Sequence, residues 1–394
     1  MRQDVAVKLT GAGAAPTKGS ILIVDDTPAN LQLLARMLAD RGYQVRPVLD
    51  GQLALASVEA EPPDLILLDI RMPEMNGYQV CERLQANPST SQIPVIFLSA
   101  MDALEDKVKA FRAGGVDYVT KPFQIEEVTA RVETHLTLSR LREQLQQANA
   151  RMAAELQLAG EVQRSFLPHD LPVPDSWQVA VRLESARETS GDFYDMYPLQ
   201  GGKLGILVAD VVDKGVGAAL FMALSWAIMR TYAGKYPRQP ERMLAAANTR
   251  LLRDTAGKQF ATVFYGILDP SSGRLCYANA GHPPAILAHC AGQGAFEDLN
   301  RTGLPLGIFP NTTWGQGVVD LDHGDVLIAY TDGLTEACNA AGACFEDAGL
   351  QASLESRVKC SAQEIADGIF ADLLDFTGGM PQSDDMALVV VKRL

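Results

Sequence analysis

The chain has 394 residues, with 34 basic and 48 acidic side chains, so its formal net charge is −14. This length predicts two or three domains, and a composition of 47% hydrophobic and 21% charged residues is typical of folded globular proteins. The acidic balance excludes a general binder of nucleic acid or of anionic membranes, because both need clustered Lys and Arg. It fits protein partners and carboxylate sites for divalent cations.

The N-terminal residues 1–19 are predicted to be flexible, and they lack the apolar core of a signal peptide. The apolar stretch 215–229 has 15 uncharged residues, which is too short to span a bilayer and predicts a buried helix. The six cysteines include no C-x-x-C pair, so we expect neither a zinc site nor a disulfide. These features predict a cytoplasmic protein whose cysteines are unpaired in a reducing compartment.

Short apolar runs alternate with amphipathic segments of helical length between residues 20 and 133. The predicted strands are 21–24, 44–49, 65–68, 93–98 and 116–119. This alternation predicts an α/β doubly wound domain with a parallel sheet covered on both faces. Pro47 lies inside the second run and places that strand at a sheet edge, in agreement with the strand order 2-1-3-4-5.

Polar side chains follow four of these strands. Asp25 and Asp26 come directly after the first strand and Asp69 after the third, so they are expected to meet at the carboxyl edge of the sheet. Three close carboxylates repel one another unless a cation lies among them, and Mg²⁺ fits such a group. Ser99 and Lys121 reach the same edge, so we predict a phosphoryl-transfer site with the Asp69 carboxylate as nucleophile.

In this order, the segments DD, LLDIRMPEMNG, LSA and YVTKPF resemble the receiver domain of two-component response regulators over residues 20–133. The resemblance implies that Asp69 accepts a phosphoryl group from a cognate histidine kinase or another phosphodonor. It implies that Asp25, Asp26 and the Arg71 carbonyl bind Mg²⁺ together with Asp69.

The same resemblance implies that Ser99 and Lys121 bind the transferred group and that the Lys121-Pro122 peptide bond is cis. It also implies that Ser99 and Tyr118 are the switch residues. For Tyr118, ordinary packing beside the fifth strand is an alternative that the sequence leaves open.

Residues 134–168 are predicted to form a helical coiled-coil linker. Apolar residues recur at steps of three and four from Leu138 to Phe166, with Glu155 as the one interruption. A solitary helix that exposes this stripe is unfavourable, so we expect a parallel homodimer, with packing against the chain itself as the alternative.

Carboxylates recur near strand ends in residues 169–394, within SGDFYD, ADVVDKG, YTDGLTEA and QSDDMALVV. Isolated charges are unfavourable at buried strand ends, so these positions predict shared cations. No His or Cys lies among them at ligand spacing, which favours Mg²⁺ or Mn²⁺ over Zn²⁺. Two such ions lower the pKa of a bridging water and clamp a phosphoryl group.

These segments, with VQRSFLP, QFATVFYGILD, ANAGHPPAIL and GLPLGI, resemble the PPM-type serine/threonine phosphatases of the branch that regulates sporulation and stress sigma factors. The resemblance implies an α+β sandwich and two Mn²⁺ or Mg²⁺ ions. The implied ligands are Asp192, Asp210, the Val211 carbonyl, Asp332 and Asp384. Three further acids, Asp195, Asp213 and Asp385, are candidates for support behind the ligands, and solvated surface charge is the alternative for the first two.

The sequence departs from the family pattern at three turns. Ser190-Gly191 replaces a pair of glycines, the GDVSG-type turn ends in Asp213 instead of glycine, and DDMT reads DDMA. The acids themselves are retained, so the departures concern the geometry of the turns. Because this geometry positions the acids, it affects the metal affinity of the site and the rate of hydrolysis.

The sequence therefore predicts a phosphorylation-controlled response regulator with a metal-dependent protein phosphatase as output. The resemblance implies a phosphoserine or phosphothreonine substrate on a regulatory protein such as an anti-sigma-factor antagonist. The alternative is a non-catalytic adaptor that binds a stationary-phase sigma factor for ATP-dependent proteolysis. Retention of all four metal acids favours the enzyme, while the direction of control by Asp69 stays open.

Overall fold

The computed structural model describes residues 17–99, 104–168, 170–255, 259–290 and 296–394, and only the backbone of 104–106. The chain forms two compact units, which divide between Arg151 and Met152. The predicted flexible segment 1–19 lies almost entirely outside the described residues.

The first unit contains a five-stranded parallel sheet with the order β2-β1-β3-β4-β5, as predicted. Its strands are β1 (Ser20–Val24), β2 (Gln44–Val48), β3 (Leu65–Asp69), β4 (Val95–Ser99) and β5 (Asp117–Thr120). Its helices are α1 (Pro28–Ala39), α2 (Gly51–Ala60), α3 (Gly77–Ala86), α4 (Leu104–Arg112) and α5 (Ile125–Arg164). Strands β1, β3 and β4 are almost wholly buried, because helices cover both faces, whereas β2 with Pro47 is an edge strand.

Helix α5 is a single helix of 40 residues that contains both the last helix of the first unit and most of the predicted linker. Its N-terminal part packs on the sheet through buried Val128, Val132 and Leu136. Beyond this point six of its large apolar residues are exposed, with relative exposures from 51% to 61%. They are Leu138, Leu141, Leu145, Met152, Leu158 and Val162.

The second unit contains two five-stranded sheets and is the α+β sandwich that the sequence predicts. Its strands are β6 (Trp177–Glu184), β7 (Phe193–Leu199), β8 (Lys203–Val211), β9 (Ala261–Asp269), β10 (Arg274–Ala280), β11 (Ala285–Ala288), β12 (Phe296–Leu299), β13 (Gly317–Asp320), β14 (Val326–Tyr330) and β15 (Met386–Arg393). Its helices are α6 (Val216–Lys235), α7 (Pro240–Asp254), α8 (Asp332–Thr335), α9 (Glu346–Glu355) and α10 (Ala362–Thr377).

The two sheets are antiparallel, with the orders β13-β10-β9-β8-β7 and β12-β11-β14-β15-β6. Strands β9 and β10 form an antiparallel hairpin, and the buried strands β14 and β15 lie inside the second sheet. One apolar cluster fills the space between the sheets, and two others join their outer faces to α6 and α7 and to α8–α10. The unit is therefore a four-layer αββα sandwich.

Within the described residues, one helix, α6, is long and apolar enough to cross a membrane by length and composition. Its buried residues include Phe221, Met222 and Met229, which belong to the apolar cluster on the outer face of the sheet β13-β10-β9-β8-β7. It therefore has the contacts of a core helix, as predicted.

The prediction that the cysteines are unpaired is wrong for two of them. Cys338 and Cys344 form a disulfide across a hairpin that follows α8, while Cys81, Cys276, Cys290 and Cys360 are free. Spacing alone did not reveal the pair, because its proximity depends on the reversal of the chain between the two residues.

Candidate phosphoryl-transfer sites

The first site lies at the carboxyl edge of the parallel sheet. Asp25 and Asp26 follow β1, and Asp69 is the last residue of β3, its neighbour in the sheet. Each of the three carboxylates has an oxygen within 4.8 Å of the others, and the described part of the chain contains no other cluster of three His, Cys, Asp or Glu that meets this limit. This donor set fits a hard divalent cation such as Mg²⁺.

Lys121 connects the two buried carboxylates of this site. Its Nζ lies 2.8 Å from Asp25 and 2.9 Å from Asp69. Burial disfavours the charged ammonium, but its hydrogen bonds to both carboxylates outweigh that effect and raise the pKa of Lys121. The loop that positions Lys121 contains a cis Lys121-Pro122 peptide bond, which confirms the prediction.

Asp69 combines burial with access to solvent on one side. Burial raises the pKa of its carboxyl group, while the hydrogen bond and positive charge of Lys121 oppose that rise. Next to it lies an open pocket of about 520 Å³. Its lining includes Asp26, Asp69, Arg71, Ser99 and Lys109. A small phosphodonor has room to approach the carboxylate from this side.

The two predicted switch residues lie on adjacent strands. Ser99 ends β4 and lines the pocket, and Tyr118 lies on β5. The Tyr118 ring is half-buried, with Phe111 edge-on at 6.3 Å and the Lys107 ammonium at 4.7 Å from its centroid. These contacts show ordinary packing, and the signalling role of Tyr118 stays a prediction.

The second candidate site collects four acids from four different elements of the sandwich. Asp192 precedes β7, Asp210 lies near the end of β8, Asp332 begins α8, and Asp384 precedes β15. Asp192 is buried, and its Oδ2 accepts a hydrogen bond of 2.5 Å from the Thr331 hydroxyl. These positions agree with the predicted ligand set, while metal binding by them stays a prediction.

The acids of this second site raise one another's pKa values. Burial raises the pKa of Asp192 well above its ordinary value, and the nearby charge of Asp210 raises it further. Burial raises the pKa of Asp210 to about 6, with repulsion from Asp332 as the next cause. The pKa of Asp332 is raised by burial and by Glu336. Such mutual repulsion is relieved when a cation binds among the carboxylates, so the chemistry of the set fits Mn²⁺ or Mg²⁺. In the structure, no three of these acids bring ligand atoms within 4.8 Å of one another.

A basic residue that the sequence analysis did not single out lies beside these acids. Lys214 Nζ is 3.0 Å from Asp384 and donates a hydrogen bond of 2.7 Å to the Ser383 carbonyl. Its neighbour Asp213 is exposed and has a φ of 81°, at the position where the family turn has glycine. Asp tolerates this left-handed conformation better than most residues, and its carboxylate accepts a hydrogen bond from the Lys214 N–H.

Asp385 holds the loop that leads to Asp192. Its two carboxylate oxygens accept hydrogen bonds from the Ala186 N–H at 2.8 Å and from the Gly191 N–H at 2.7 Å. Because both oxygens are engaged by the backbone, Asp385 is better suited to support the loop than to bind a metal ion.

Asp195 is buried on β7 and faces Arg230 of α6, whose guanidinium lies 3.6 Å from its carboxylate. Burial raises the pKa of Asp195 to about 6, and Arg230 opposes that rise.

His282 is fully buried, and its ring bonds to the Thr262 hydroxyl at 2.8 Å. Burial lowers the pKa of His282 to about 3, which agrees with a structural neutral histidine.

Helix α5 ends against the loop that positions Asp192. The buried Gln163 accepts a hydrogen bond from the Ser190 N–H at 2.9 Å and donates one to the Ser190 carbonyl. A side chain at Gly160 would meet the Glu188 carbonyl, so the helix can approach this loop closely only with glycine there. In the sequence, VQRSFLP carries only the family resemblance, and a glutamine on a predicted coiled-coil helix gives no signal of this contact.

Comparison with known proteins assigns both units. Residues 21–133 match the model of the response regulator receiver domain, and residues 200–394 match that of stage II sporulation protein E. The chain is a response regulator with a SpoIIE-type domain in its C-terminal part. The resemblances on which the sequence analysis relied are thereby confirmed.

Protein IcfG of Synechocystis is 33% identical over 265 residues, which cover 61% of this chain and 41% of that protein. Phosphoserine phosphatase RsbU of Bacillus subtilis is 29% identical over 242 residues, or 61% of this chain and 70% of RsbU. The solved PP2C domain of SiaA from Pseudomonas aeruginosa has a TM-score of 0.56 and 19% identity, and the match covers 63% of this chain and 98% of that domain. This likeness shows the fold. The chain spans less than half the length of the first curated relatives that it matches.

Proposed function

We propose that this protein is a metal-dependent serine/threonine protein phosphatase controlled by phosphorylation of Asp69. The observation that carries the proposal is the convergence of Asp192, Asp210, Asp332 and Asp384 in a SpoIIE-type domain that follows a receiver domain with a complete acidic site. The cytoplasm is the expected location, because phosphorylation of receiver domains draws on intracellular donors.

In the receiver domain, Asp25, Asp26, Asp69 and the Arg71 carbonyl hold Mg²⁺ in this proposal. The carboxylate of Asp69 attacks the phosphorus of a phosphohistidine or small acyl phosphate, the P–N or P–O bond of the donor breaks, and an aspartyl phosphate forms. Lys121, already 2.9 Å from Asp69, would pair with the new phosphoryl oxygens, and the Ser99 hydroxyl would donate to one of them.

In the phosphatase domain, the four acids and the Val211 carbonyl would hold two Mn²⁺ or Mg²⁺ ions. When bound, such ions supply an activated water and neutralise phosphoryl oxygens. Thr331 and Asp385 orient the ligands from behind, since the first donates to Asp192 and the second binds the Gly191 N–H. Lys214 places a positive charge beside Asp384, where it would attract the phosphate of a substrate.

The proposed substrate is phosphoserine or phosphothreonine on a regulatory protein such as an anti-sigma-factor antagonist. The name phosphoserine phosphatase of RsbU, with 29% identity over 242 residues, supports this choice of substrate class. The phosphodonor partner would be a cognate histidine kinase, as the receiver domain implies.

The exposed stripe of α5 supports a parallel homodimer. Six apolar side chains between Leu138 and Val162 are each more than half exposed, at steps that follow the coiled-coil repeat in most places. Because α5 also carries Gln163, a change in how two copies of α5 pack would be transmitted to the loop before Asp192. We propose this route for control by Asp69, and its direction is left to experiment.

Hydrolysis of a phosphoserine protein and of an aryl phosphate with Mn²⁺ tests the phosphatase. Wild type should show metal-dependent turnover, and Asp332→Asn should lose at least about 100-fold in kcat/KM. Thr313→Ser, an exposed conservative change elsewhere in the domain, is the matched control. Absence of turnover in wild type with either metal, together with tight binding of a sigma factor, would support the adaptor instead.

A further inference from the structure

The disulfide between Cys338 and Cys344 closes a hairpin on the surface of the phosphatase domain. Cys338 is exposed and Cys344 is half-buried, so a reagent in solution can reach the bond. The backbone reverses between them, where Asn339 N–H donates to the Ala343 carbonyl at 2.9 Å. Small thiols and dithiol proteins react at sulfur atoms that are accessible in this way.

The hairpin begins immediately beyond the helix that carries a predicted metal ligand. Helix α8 starts at Asp332 and ends at Thr335, three residues before Cys338. The residues flanking the bond, Ala337 and Phe345, are buried and bonded through the Phe345 N–H and the Ala337 carbonyl at 2.9 Å. The disulfide therefore clamps the hairpin at the point where both of its arms enter the core.

The second arm is also tied to the strand that precedes Asp332. The Tyr330 hydroxyl donates a hydrogen bond of 2.9 Å to Asp347, just beyond Phe345. The segment from Tyr330 to Asp347 is thus a closed loop, with Asp332 near one end and the disulfide near its middle. Opening the disulfide removes the covalent cross-link of this loop and leaves the hairpin held by hydrogen bonds within residues 337–345, so the order of its arms, and with it that of Asp332, decreases.

We propose that Cys338 and Cys344 form a reversible redox site that sets the metal affinity of the phosphatase centre through Asp332. The oxidised state holds α8 in place and favours metal binding, and the reduced state loosens it. This inference rests on the proposed phosphatase function for its consequence, but not for the existence of the redox couple.

The chemistry is thiol–disulfide exchange with a low-molecular-weight disulfide as oxidant. The Cys338 thiolate attacks one sulfur of that disulfide, its S–S bond breaks, and one thiol leaves. The Cys344 thiolate then attacks the Cys338 sulfur of the mixed disulfide and releases the second thiol. The two protons of the protein thiols end on the two thiols that leave, and two electrons pass from the protein to the oxidant. A dithiol reductant reverses both steps.

Thiol counting on the full chain tests the couple. Alkylation in denaturant should label four cysteines after oxidation with glutathione disulfide and six after reduction with dithiothreitol, since four of the six are free. Peptide mapping should assign the difference to Cys338 and Cys344. Retention of six labelled thiols after oxidation would overturn the proposal.

The Mn²⁺ dependence of aryl phosphate hydrolysis tests the consequence. Reduction should raise the Mn²⁺ concentration for half-maximal rate by about tenfold, with a smaller change in kcat at saturating metal. The double variant Cys338→Ser with Cys344→Ser should have the Mn²⁺ dependence of the reduced wild type, and oxidants or reductants should not change it. Cys276→Ser is the control. The Cys276 sulfur lies 3.4 Å from the Gln316 side-chain oxygen, a contact that serine can keep, so the Mn²⁺ dependence of this variant should respond to redox state as that of wild type does. An unchanged Mn²⁺ dependence in wild type would show that the bond is only structural.

Hydrogen exchange separates this proposal from the phosphatase function. Reduction should increase amide exchange in residues 332–345, including α8, whether or not the protein hydrolyses any substrate. If reduction increases this amide exchange but neither redox state hydrolyses a substrate, the phosphatase function is contradicted. The coupling between the disulfide and Asp332 is then still supported. Increased exchange restricted to 338–344 would overturn the coupling to Asp332.

Discussion

Gln163 and Ser190 form a reciprocal pair, in which the glutamine amide accepts from the Ser190 N–H at 2.9 Å and donates to the Ser190 carbonyl. Both residues are buried, and Ser190 precedes Asp192 by two positions. The Ser190 hydroxyl is bonded to Asp192 as well, since it accepts from the Asp192 N–H at 3.0 Å. A single side chain of α5 thus reaches the backbone of the loop that positions a predicted metal ligand.

Replacement of Gln163 by alanine should weaken metal binding more than folding. Two buried backbone groups lose their partner, and the loop before Asp192 gains freedom, so we expect the Mn²⁺ concentration for half-maximal rate to rise about tenfold. Gln157→Ala is the matched control, because Gln157 is exposed on the same helix and bonds only to Glu161. Equal Mn²⁺ curves for the two variants would contradict the positioning role of Gln163.

Most of the fold followed from the sequence because its local signals agree with the packing. The apolar runs of the receiver region are buried strands, and Pro47 on β2 correctly indicated an edge. In the second unit, the acids at strand ends were found by their pattern, whereas the roles of their neighbours were not. Whether Asp385 faces a metal ion or two backbone N–H groups depends on the path of residues 186–191, which no local pattern encodes.

Most features that the sequence did not predict depend on long-range contacts of single residues. The reach of Lys214 to Asp384 and the closure of Cys338 on Cys344 both depend on how loops return to the same place. The unbroken run of α5 across the predicted boundary at residue 134 also escaped prediction. Good helix formers fill the whole segment, so no residue marks an end to the first part of the helix.

Replacement of Asp385 by alanine should destabilise the phosphatase domain by about 2–4 kcal/mol. The change removes two hydrogen bonds to a charged acceptor and leaves the N–H groups of the half-buried Ala186 and the buried Gly191 without partners. Urea unfolding followed by tryptophan fluorescence measures this loss, since all three tryptophans lie in this domain. Asp384→Ala, at the adjacent and more exposed position, should cost much less stability and more metal affinity.

The exposed stripe of α5 should control the oligomeric state. Leu145→Asp places a charge in the proposed helix pair at a position that is 61% exposed in the single chain, so the folded chain tolerates it while a dimer does not. Light scattering should give the dimer mass for wild type and the monomer mass for Leu145→Asp. Gln146→Asp, at the next position along the helix and outside the apolar stripe, should stay dimeric. A monomeric wild type would contradict the dimer directly.

Asp195 should make the stability of the second unit depend on pH. Its pKa is raised to about 6 by burial, so the folded state binds a proton more readily than the unfolded state, in which the pKa is about 4. Stability therefore decreases as pH rises from about 4 to 6, and the full cost, about 2–3 kcal/mol, is present above pH 6. Asp195→Asn keeps the shape without the charge, so it should be more stable than wild type at pH 7.5 and nearly equal at pH 4.5. Denaturant unfolding at the two pH values decides this. If the variant is less stable than wild type at pH 7.5, attraction to Arg230 at 3.6 Å outweighs the cost of burying the carboxylate.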